Sequence, residues 1–324
     1  MTIASNVSRV QSNNDQSVSA ARMSLAIATL LWAGNFIVGR ALRDDMTPLE
    51  LNFWRWAIAL AALLPFTLRS LWLGRTSIAR NAGFIAMLAV TGVVVPHTCI
   101  YAALATTNAV NALLLLSLSP LLISLGDWAI FGERMRKRQW LGLAVACTGA
   151  VTLIARGNIN TLSALQAGEG DLWMIPAILS VAAQALLLKR SPKLIAQAPL
   201  LAASVVAALI MMLPFMLITG DLVAPPSGGK VVASLLYVGV FASATAFLLW
   251  NRGVARLGPG AAAPFLYLMP IYGSILSNVL LAEAAMGFQF IGGGLVFLGL
   301  LLARRPSAAL VPLPSRHPTT ESAS

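Results

Sequence analysis

Ten runs of mostly apolar residues, each about long enough to cross a bilayer, follow one another along the chain. A bilayer core about 30 Å thick requires roughly 20 apolar residues per helix. The runs cover 24–41, 50–68, 82–104, 110–131, 139–155, 171–188, 199–219, 231–251, 259–281 and 287–303. Of the 324 residues, 58% are hydrophobic and only 10% are charged, whereas soluble domains carry about 25% charged residues. We therefore predict an all-α polytopic membrane protein with ten transmembrane helices.

The positively charged residues are distributed unevenly between the two ends of these predicted helices. If the N-terminus is cytoplasmic, 17 of the 22 Lys and Arg residues fall in cytoplasmic segments. Arg40, Arg43, Arg156 and Lys230 fall outside, and Arg55 lies within the second run. Positive charge concentrates on the cytoplasmic side of membrane proteins. This bias predicts that both termini are cytoplasmic, and it accounts for the net charge of +11 without nucleic acid as a partner.

The chain also repeats itself at an offset of 150 residues. Ten of the 45 pairs formed between 105–149 and 255–299 are identical. The least common of these identities are Pro120 with Pro270, Glu133 with Glu283, Gln139 with Gln289, Gly142 with Gly292, and Gly149 with Gly299. Each copy holds five predicted helices, and because five is odd, the second copy is inverted in the membrane. Inverted repeats of this kind are typical of secondary transporters, whose binding site lies near the midplane between the copies.

These patterns divide the chain into five parts. Residues 1–22 are polar and are expected to form a disordered cytoplasmic tail. Residues 23–156 form the first five-helix repeat, 157–170 an extracytoplasmic linker, and 171–305 the second repeat. Residues 306–324 are expected to form another disordered cytoplasmic tail.

Two glutamates and two glutamines stand at matching places in the copies. Glu133 and Glu283 each end a fourth helix, and Gln139 and Gln289 each open a fifth helix. A carboxylate can accept hydrogen bonds from the free N–H groups at a helix start, where the helix dipole also favours it. We therefore predict that the glutamates have a structural role in these hairpins. The alternative is that they carry protons.

Three stretches resemble the EamA-type units of the drug/metabolite transporter superfamily. They are LLWAGNFIVGR at 30–40, PLELNFWR at 48–55 and SPLLISLGDWAIFGERMRKRQWLGLAVACTG at 119–149. Members of this superfamily export amino acids, drugs and other metabolites, and the chain looks most like the bacterial exporters of aromatic and neutral amino acids. The resemblance implies ten helices, a central cavity and alternating access. The second copy departs from the pattern, because Ala182 and Ala185 replace Trp32 and Asn35.

Polar and aromatic residues at helical spacing mark the expected cavity walls, since residues three or four apart share one face of a helix. Amide and hydroxyl groups can bind the carboxylate and amine of a zwitterion, while aromatic rings contact its side chain. The predicted substrate-binding residues are Trp32, Asn35, Phe36, His97, Tyr101, Ser117, Gln184, Ser243, Phe247 and Tyr267. The alternative is that the serines bond their own helices and that His97 pairs with a neighbouring hydroxyl.

Four further residues are candidates for gating or coupling. Pro120 and Pro270 each free a backbone carbonyl near mid-membrane, which suits a cavity wall better than a lipid-facing surface. Arg55 is a charge inside the second helix, where Asp45, Glu50 or lipid head-groups can neutralise it. Its alternative role is as a gate or a carboxylate site. Asp127 is expected to pair with Arg134 or Arg138, the alternative being proton coupling.

Enzymatic function is disfavoured because the apolar runs hold no cluster of His, Asp, Glu and Cys. We predict no cofactor, no metal site and no ATP-binding motif. A cavity with little fixed charge fits a neutral or zwitterionic substrate better than a phosphate. The prediction is thus a secondary exporter of small metabolites, foremost amino acids, in a bacterial inner membrane. Alternatives are a drug or other metabolite exporter and a non-transporting membrane subunit. Glycine stripes on the fifth and tenth helices would also permit a homodimer beside a monomer.

Overall fold

The computed structural model describes residues 2–132, 135–156, 168–190, 197–220, 227–257 and 262–303. These residues form helices and short connections, and none of them lies in a β-strand. Glu133 lies outside the described residues, as do 157–167 of the predicted linker and the tail from 304 to 324. The predictions made for those positions therefore stay predictions.

The long helices follow the predicted apolar runs to within a few residues at most ends. The larger differences are at the starts of the first and ninth helices and at the ends of the second and eighth. They are α1 Thr2–Ala41, α2 Pro48–Leu73, α3 Ala82–Thr106, α4 Ala109–Phe131, α5 Lys137–Ile154, α6 Glu169–Lys189, α7 Gln197–Thr219, α8 Gly229–Leu257, α9 Phe265–Leu281 and α10 Gly287–Ala303. A short helix, Arg75–Arg80, joins α2 to α3.

The helices have the length and surface of a multi-pass membrane protein. Among the described residues, seven helices are long and apolar enough to cross a membrane: α2, α3, α4, α6, α7, α8 and the Val18–Ala41 part of α1. The apolar helices α9 and α10 are shorter. Large side chains such as Phe66, Phe215 and Ile218 are 78%, 62% and 82% exposed, as expected for a surface in contact with lipid. Ten spans and the positions of the termini stay predictions.

Helix α1 begins much earlier than the first apolar run. Residues 2–22, which we expected to be disordered, continue the helix instead. No proline or glycine precedes Gly34 to interrupt it, and adding residues to an existing helix is far easier than nucleating one. The apolar part of α1 therefore extends as a helix into the polar segment.

The two halves of the chain pack with reciprocal contacts. Helix α1 lies against α8 and α9 of the second half, and α6 lies correspondingly against α3 and α4 of the first half. Helix α2 packs on α7 and α8, just as α7 packs on α2 and α3. Each half therefore inserts its first two helices against the other half, and the centre of the molecule lies between the two copies.

Helices α5 and α10 cross through the repeated glycines. A β-carbon at Gly142 would lie 2.5 Å from the carbonyl oxygen of Gly299, and one at Gly149 would lie 2.6 Å from that of Gly292. Position 142 thus faces the partner of position 149, so the two helices run antiparallel, as an inverted repeat requires. These small residues allow the two backbones to approach closely within one chain. A monomer or homodimer stays a prediction.

The connection between the last two helices of each copy is fixed by glutamine. Gln139 Oε1 accepts a hydrogen bond from the backbone N–H of Arg136 at 2.9 Å, and Gln289 Oε1 accepts one from Met286 at 2.9 Å. This corrects the prediction for Glu283, whose carboxylate does not cap α10. The side-chain oxygen of Gln289, three residues after Met286, already accepts the hydrogen bond from the backbone N–H group of Met286.

The α5–α10 crossing predicts opposite effects of two Gly→Ala substitutions. Gly142→Ala should lower the free energy of unfolding by about 1–3 kcal/mol, because its β-carbon meets backbone atoms that cannot move aside. Gly294→Ala on α10 is the matched control, since nothing lies within 4 Å of its β-carbon position. The control should be neutral or stabilise by about 0.5–1 kcal/mol. Thermal denaturation in detergent micelles measures both, and equal effects would contradict the crossing.

Candidate functional site

Four helices are interrupted near the middle of the molecule. Helices α3 and α8 contain π-helical segments, Val90–Val94 and Tyr237–Thr245, which overlap when the copies are superposed by the 150-residue offset. Helix α4 bends at Ser117 before Pro120, and α9 changes from a 3-10 to an α-helix after Tyr267, before Pro270. Because proline lacks an N–H group, these prolines break the regular hydrogen bonding at equivalent places in each copy.

A central cavity of about 310 Å³ lies at the interruptions of α3, α4 and α9. The structure brings nine of the predicted site residues together in its wall: Trp32, Asn35, Phe36, Arg55, His97, Ser117, Pro120, Gln184 and Tyr267. The sequence analysis did not assign the other lining residues, which are mainly apolar: Gly92, Pro96, Ile100, Leu113, Leu116, Ser119, Ile123, Val181, Leu266 and Met269. An apolar wall with a few polar groups is typical of ligand pockets.

Five predicted binding or gating residues do not line this cavity, and one of them, Asp127, lies at an end of the bundle described below. Tyr101 and Ser243 are buried behind its wall, where they contact the side chain of Arg55. Phe247 on α8 is half-buried, and Pro270 lies in the first turn of the α-helical part of α9, Leu268–Leu281. Helical spacing predicted the faces of these helices, but it could not predict which residue on a face reaches the open space.

A chain of hydrogen bonds links Arg55 to both halves of the molecule. Arg55 Nη1 donates to the Tyr101 hydroxyl at 3.1 Å, and Tyr101 donates in turn to Asn35 Oδ1 at 2.8 Å. Arg55 Nε donates to Ser243 Oγ at 2.7 Å, and Ser243 donates to the carbonyl oxygen of Val238 at 2.7 Å. These bonds hold the guanidinium in one orientation at the cavity wall.

Arg55 is not neutralised by the acidic residues that the sequence offered. Among the described residues, no carboxylate lies within 4.0 Å of its guanidinium. Asp45 pairs with Lys230 at 2.7 Å, and Glu50 accepts from the backbone N–H of Thr47, where it caps α2. The prediction that Asp45 or Glu50 compensates Arg55 is therefore wrong, because both acids are engaged at the end of the helix.

His97 and Gln184 supply the other polar groups of the wall. The carbonyl oxygen of Val93 lies 3.3 Å from His97 Nδ1, and the ring of Trp56 packs edge-on against the imidazole with centroids 5.3 Å apart. Gln184 reaches the cavity because Gly92 opposite it has no side chain; a β-carbon there would overlap the Gln184 amide. The amide of Gln184 forms no hydrogen bond with the described residues, so it remains available to a ligand.

The serines of α4 hydrogen-bond to their own helix. Ser117 donates to Leu113 and Ser124 to Pro120, at 2.9 and 3.0 Å. Ser119 donates at 2.7 Å to the carbonyl oxygen of Leu116, which Pro120 cannot serve. The alternative interpretation given for the serines thus describes their donors, although Ser117 still lines the cavity.

An ion pair joins the two copies at the end where α1 ends and α10 begins, which we call the Arg40 end. Glu283 accepts from Arg40 Nε at 2.9 Å and from Ser277 Oγ at 2.9 Å. Arg40 Nη1 also donates to the carbonyl oxygens of Leu104 and Ala105. The structural role predicted for Glu283 is therefore exerted on α1 rather than on the start of α10.

Two more links between the copies lie at the Arg40 end. Gln289 donates to Asn108 Oδ1 at 2.9 Å, and the same oxygen caps α4 by accepting from the N–H of Asn111. The buried carboxylate of Asp171 accepts from Thr107 and Asn111, both at 2.6 Å. Sequence analysis missed Asp171, which the 150-residue offset aligns with Ala21 and so did not mark.

A different ion pair lies at the opposite end, which we call the Asp127 end. Lys189 Nζ lies 2.5 Å from Asp127 Oδ1, and the guanidinium of Arg190 stacks 4.9 Å from the ring centre of Phe131. Asp127 was expected to pair with Arg134 or Arg138. Arg134 lies outside the described residues, so a pair with it stays a prediction. The structure pairs Asp127 with Lys189 of the other copy, because the end of α6 packs directly against α4.

No group of three or more His, Cys, Asp or Glu side chains that could hold a metal ion occurs in the part of the chain that the structure describes. The polar groups of the cavity are an arginine, two amides, an imidazole and hydroxyls, which can bind a small organic molecule.

Comparison with known proteins identifies the class. The model of the EamA-like transporter family matches twice, at residues 21–155 and 168–305. The chain therefore belongs to this family of transporters, and the resemblance found in the sequence is confirmed.

Individual relatives agree with this assignment. An uncharacterized transporter of Archaeoglobus fulgidus is 25% identical over 295 residues, covering 88% of the chain and 97% of the relative. A protein named as a probable terminal-alkyne amino-acid exporter of Streptantibioticus cattleyicolor is 27% identical, covering 89% of the chain and 94% of the relative. A solved crystal structure superposes with a TM-score of 0.55 at 20% identity, covering 88% of this chain and 96% of that one, which shows a shared fold.

Two of the ion pairs at the Arg40 end should contribute unequally to stability. Glu283→Ala should cost about 1.5–3 kcal/mol, because it leaves a largely buried Arg40 without its charged acceptor. Asp45→Ala, which breaks the exposed pair with Lys230, is the matched control and should cost at most about 1 kcal/mol. Denaturation in detergent compares them. A cost for Asp45→Ala equal to or above that for Glu283→Ala would contradict the assignment.

Proposed function

We propose that this protein is a secondary transporter that exports small neutral or zwitterionic metabolites, foremost amino acids, by alternating access across the central cavity. The observation that carries the proposal is the position of the cavity, which lies where interrupted helices of both copies meet. Transporters with inverted repeats bind their substrates at such breaks. The family membership supports transport, and the relative named as an exporter of an amino acid supports the substrate class.

The topology proposed for this function has ten spans in a bacterial inner membrane, with both termini in the cytoplasm. Antiparallel packing of α5 on α10 supports the inversion of the second copy. The distribution of Lys and Arg supports the orientation. In this orientation the Arg40 end faces away from the cytoplasm and the Asp127 end faces it.

The two ends are built to open one at a time. Position 40 aligns with position 190 of the other copy, and position 127 aligns with position 277. The ion pairs at the two ends, Arg40 with Glu283 and Lys189 with Asp127, are therefore formed by residues that do not align with each other. Opening the Arg40 end requires Arg40 to separate from Glu283, while Lys189 and Asp127 can stay paired. Opening the Asp127 end requires the reverse. Each conformation therefore retains ion pairing between the copies at its closed end.

Substrate contact is assigned to amide and aromatic residues of the cavity wall. Asn35 and Gln184 would bond the polar groups of an amino acid, and Trp32, Phe36 and Tyr267 would contact its side chain. Tyr101 and Ser243 act behind this layer by holding Arg55. Pro120 and Pro270 mark the points at which α4 and α9 can bend.

Proton coupling, where it operates, is assigned to His97. The two carboxylates considered for this task, Asp127 and Glu283, are already engaged in ion pairs. His97 lines the cavity, and with Nδ1 directed to Val93 its Nε2 is left to accept a proton. The ring of Trp56 packs against its imidazole, and the guanidinium of Arg55 lies over that same ring.

The direct test is uptake of labelled amino acids into proteoliposomes, with and without an imposed pH gradient. We expect saturable downhill flux that protein-free liposomes lack. The gradient should stimulate flux in wild type but not in His97→Ala, whose downhill flux should persist. Thr91→Ala, a half-buried position on the same helix that does not line the cavity, should behave as wild type.

Each other outcome has a defined meaning. Flux that ignores the gradient in both proteins would identify a facilitator and remove His97 from coupling. Flux of drugs or other metabolites but of no amino acid would replace the substrate class. Absence of flux for every compound would leave a membrane subunit that does not transport.

A further inference from the structure

The cavity contains a buried positive charge that the protein itself does not balance. Arg55 is 3% exposed and lies at the cavity wall. Asp and Glu are absent from the residues that line the cavity, and the guanidinium has no carboxylate within 4.0 Å among the described residues. A charge buried without a partner of opposite sign is costly, and within a membrane such residues generally serve a ligand or a transport pathway.

The hydrogen bonds of Arg55 orient the group without neutralising it. Both acceptors, Tyr101 and Ser243, are neutral hydroxyls whose own protons go to Asn35 and to the carbonyl oxygen of Val238. Neither hydroxyl carries a negative charge that would balance the guanidinium of Arg55. The bonds use Nε and Nη1, whereas Nη2 donates to none of the described residues. A guanidinium fixed in this way offers the N–H groups of Nη1 and Nη2 as a fork.

A carboxylate is the group that matches such a fork in charge and in geometry. Two parallel N–H to oxygen bonds form between a guanidinium and a carboxylate, and they are stronger than bonds between neutral groups. We propose that the cavity recognises its substrate through a carboxylate bound by Arg55, and that an amino group on the substrate is not required. The substrate class is then small monocarboxylates with an apolar body, of which amino acids are one part.

The rest of the wall explains why the amine is dispensable. With no acidic residue lining the cavity, nothing there carries the negative charge that would select an ammonium group. Trp32, Phe36, Ile100 and Met269 instead present apolar surface to the remainder of the ligand. The volume of about 310 Å³ is at the small end of ligand pockets. This matches an acid with one aromatic or branched aliphatic group.

The proposal rests on the transport function only for its meaning in the cell, because binding can be measured without transport. Isothermal titration of the full chain in detergent would compare phenylalanine, 3-phenylpropionate, which lacks the amine, and phenylalaninamide, which lacks the carboxylate. Leucine, 4-methylpentanoate and leucinamide form a second set. We expect both carboxylates of a set to bind within about threefold of each other. The amide should bind about 10- to 100-fold more weakly, as expected for loss of a charge-assisted hydrogen bond.

Substitutions then assign the effect to Arg55. Arg55→Gln should remove the preference for carboxylate over amide, and Arg55→Lys should keep part of it because the charge remains while the fork is lost. Arg69→Gln, at an exposed position on the same helix, should bind as wild type. Since the ligand comparison is made first on wild type, it stands even where an Arg55 variant fails to fold.

The outcomes separate this proposal from that of transport. Equal binding of amide and carboxylate, binding only of compounds with an amine, or no binding in either set would overturn the carboxylate proposal. Carboxylate-selective binding with no flux in proteoliposomes would support the site while refuting transport. Flux of an amino acid and its amide at equal rates would do the opposite.

Discussion

Backbone hydrogen bonding is the constraint on which this structure depends. In hydrocarbon an N–H or carbonyl group without a partner costs several kcal/mol, so irregular backbone is tolerated only where protein or a water-filled cavity surrounds it. The chain interrupts α3, α4, α8 and α9, and residues at the interruptions of α3, α4 and α9 line the cavity. Reciprocal packing of the two copies shields them. The cavity is therefore a consequence of where the helices are broken, and the breaks are sheltered because the copies are interleaved.

The placement of charged groups follows a similar constraint, because a buried charge also needs a partner. Most ion pairs of the described residues lie at the two ends of the bundle, where they join one copy to the other. Arg55 is the exception, since its partners are neutral and it lies at the cavity. A carrier needs a site that is satisfied only when substrate is bound, and an unbalanced guanidinium meets that requirement. The ion pairs join the two copies, and the charge of Arg55 is left to be balanced by a ligand.

Much of the fold could be predicted from the sequence, because lipid imposes simple rules. Apolar runs gave helix positions to within a few residues, and the 150-residue identity gave the two copies. Prediction failed where the answer depends on contacts between distant segments. Arg40 aligns with Arg190 at the same offset, which is a signal that could have marked Arg40 as a partner for Glu283. Nothing local could have directed Asp127 to Lys189, since local spacing favoured Arg134 and Arg138.

The site was predictable by type more than by position. Helical spacing indicated nine of the lining residues, because polar groups in an apolar helix face the interior. It placed Tyr101 and Ser243 among the substrate contacts, whereas in the structure both accept hydrogen bonds from Arg55. It also treated Arg55 as neutralised by nearby acids. The hydrogen bonds of Arg55 to Tyr101 and Ser243 depend on how α3 and α8 cross α2. A single sequence does not reveal how these helices cross.

The central claim is that the two ends open in alternation around one cavity. Spin labels at positions 44 and 286 report the Arg40 end, and labels at 136 and 190 report the Asp127 end, with Cys99 and Cys147 replaced by alanine. Pulsed electron–electron double resonance would measure the distance between the labels of each pair with and without Glu283→Gln, which weakens the ion pair with Arg40. The account predicts a longer distance at the Arg40 end together with a shorter distance at the Asp127 end. A change at one end that leaves the other unaltered would contradict it.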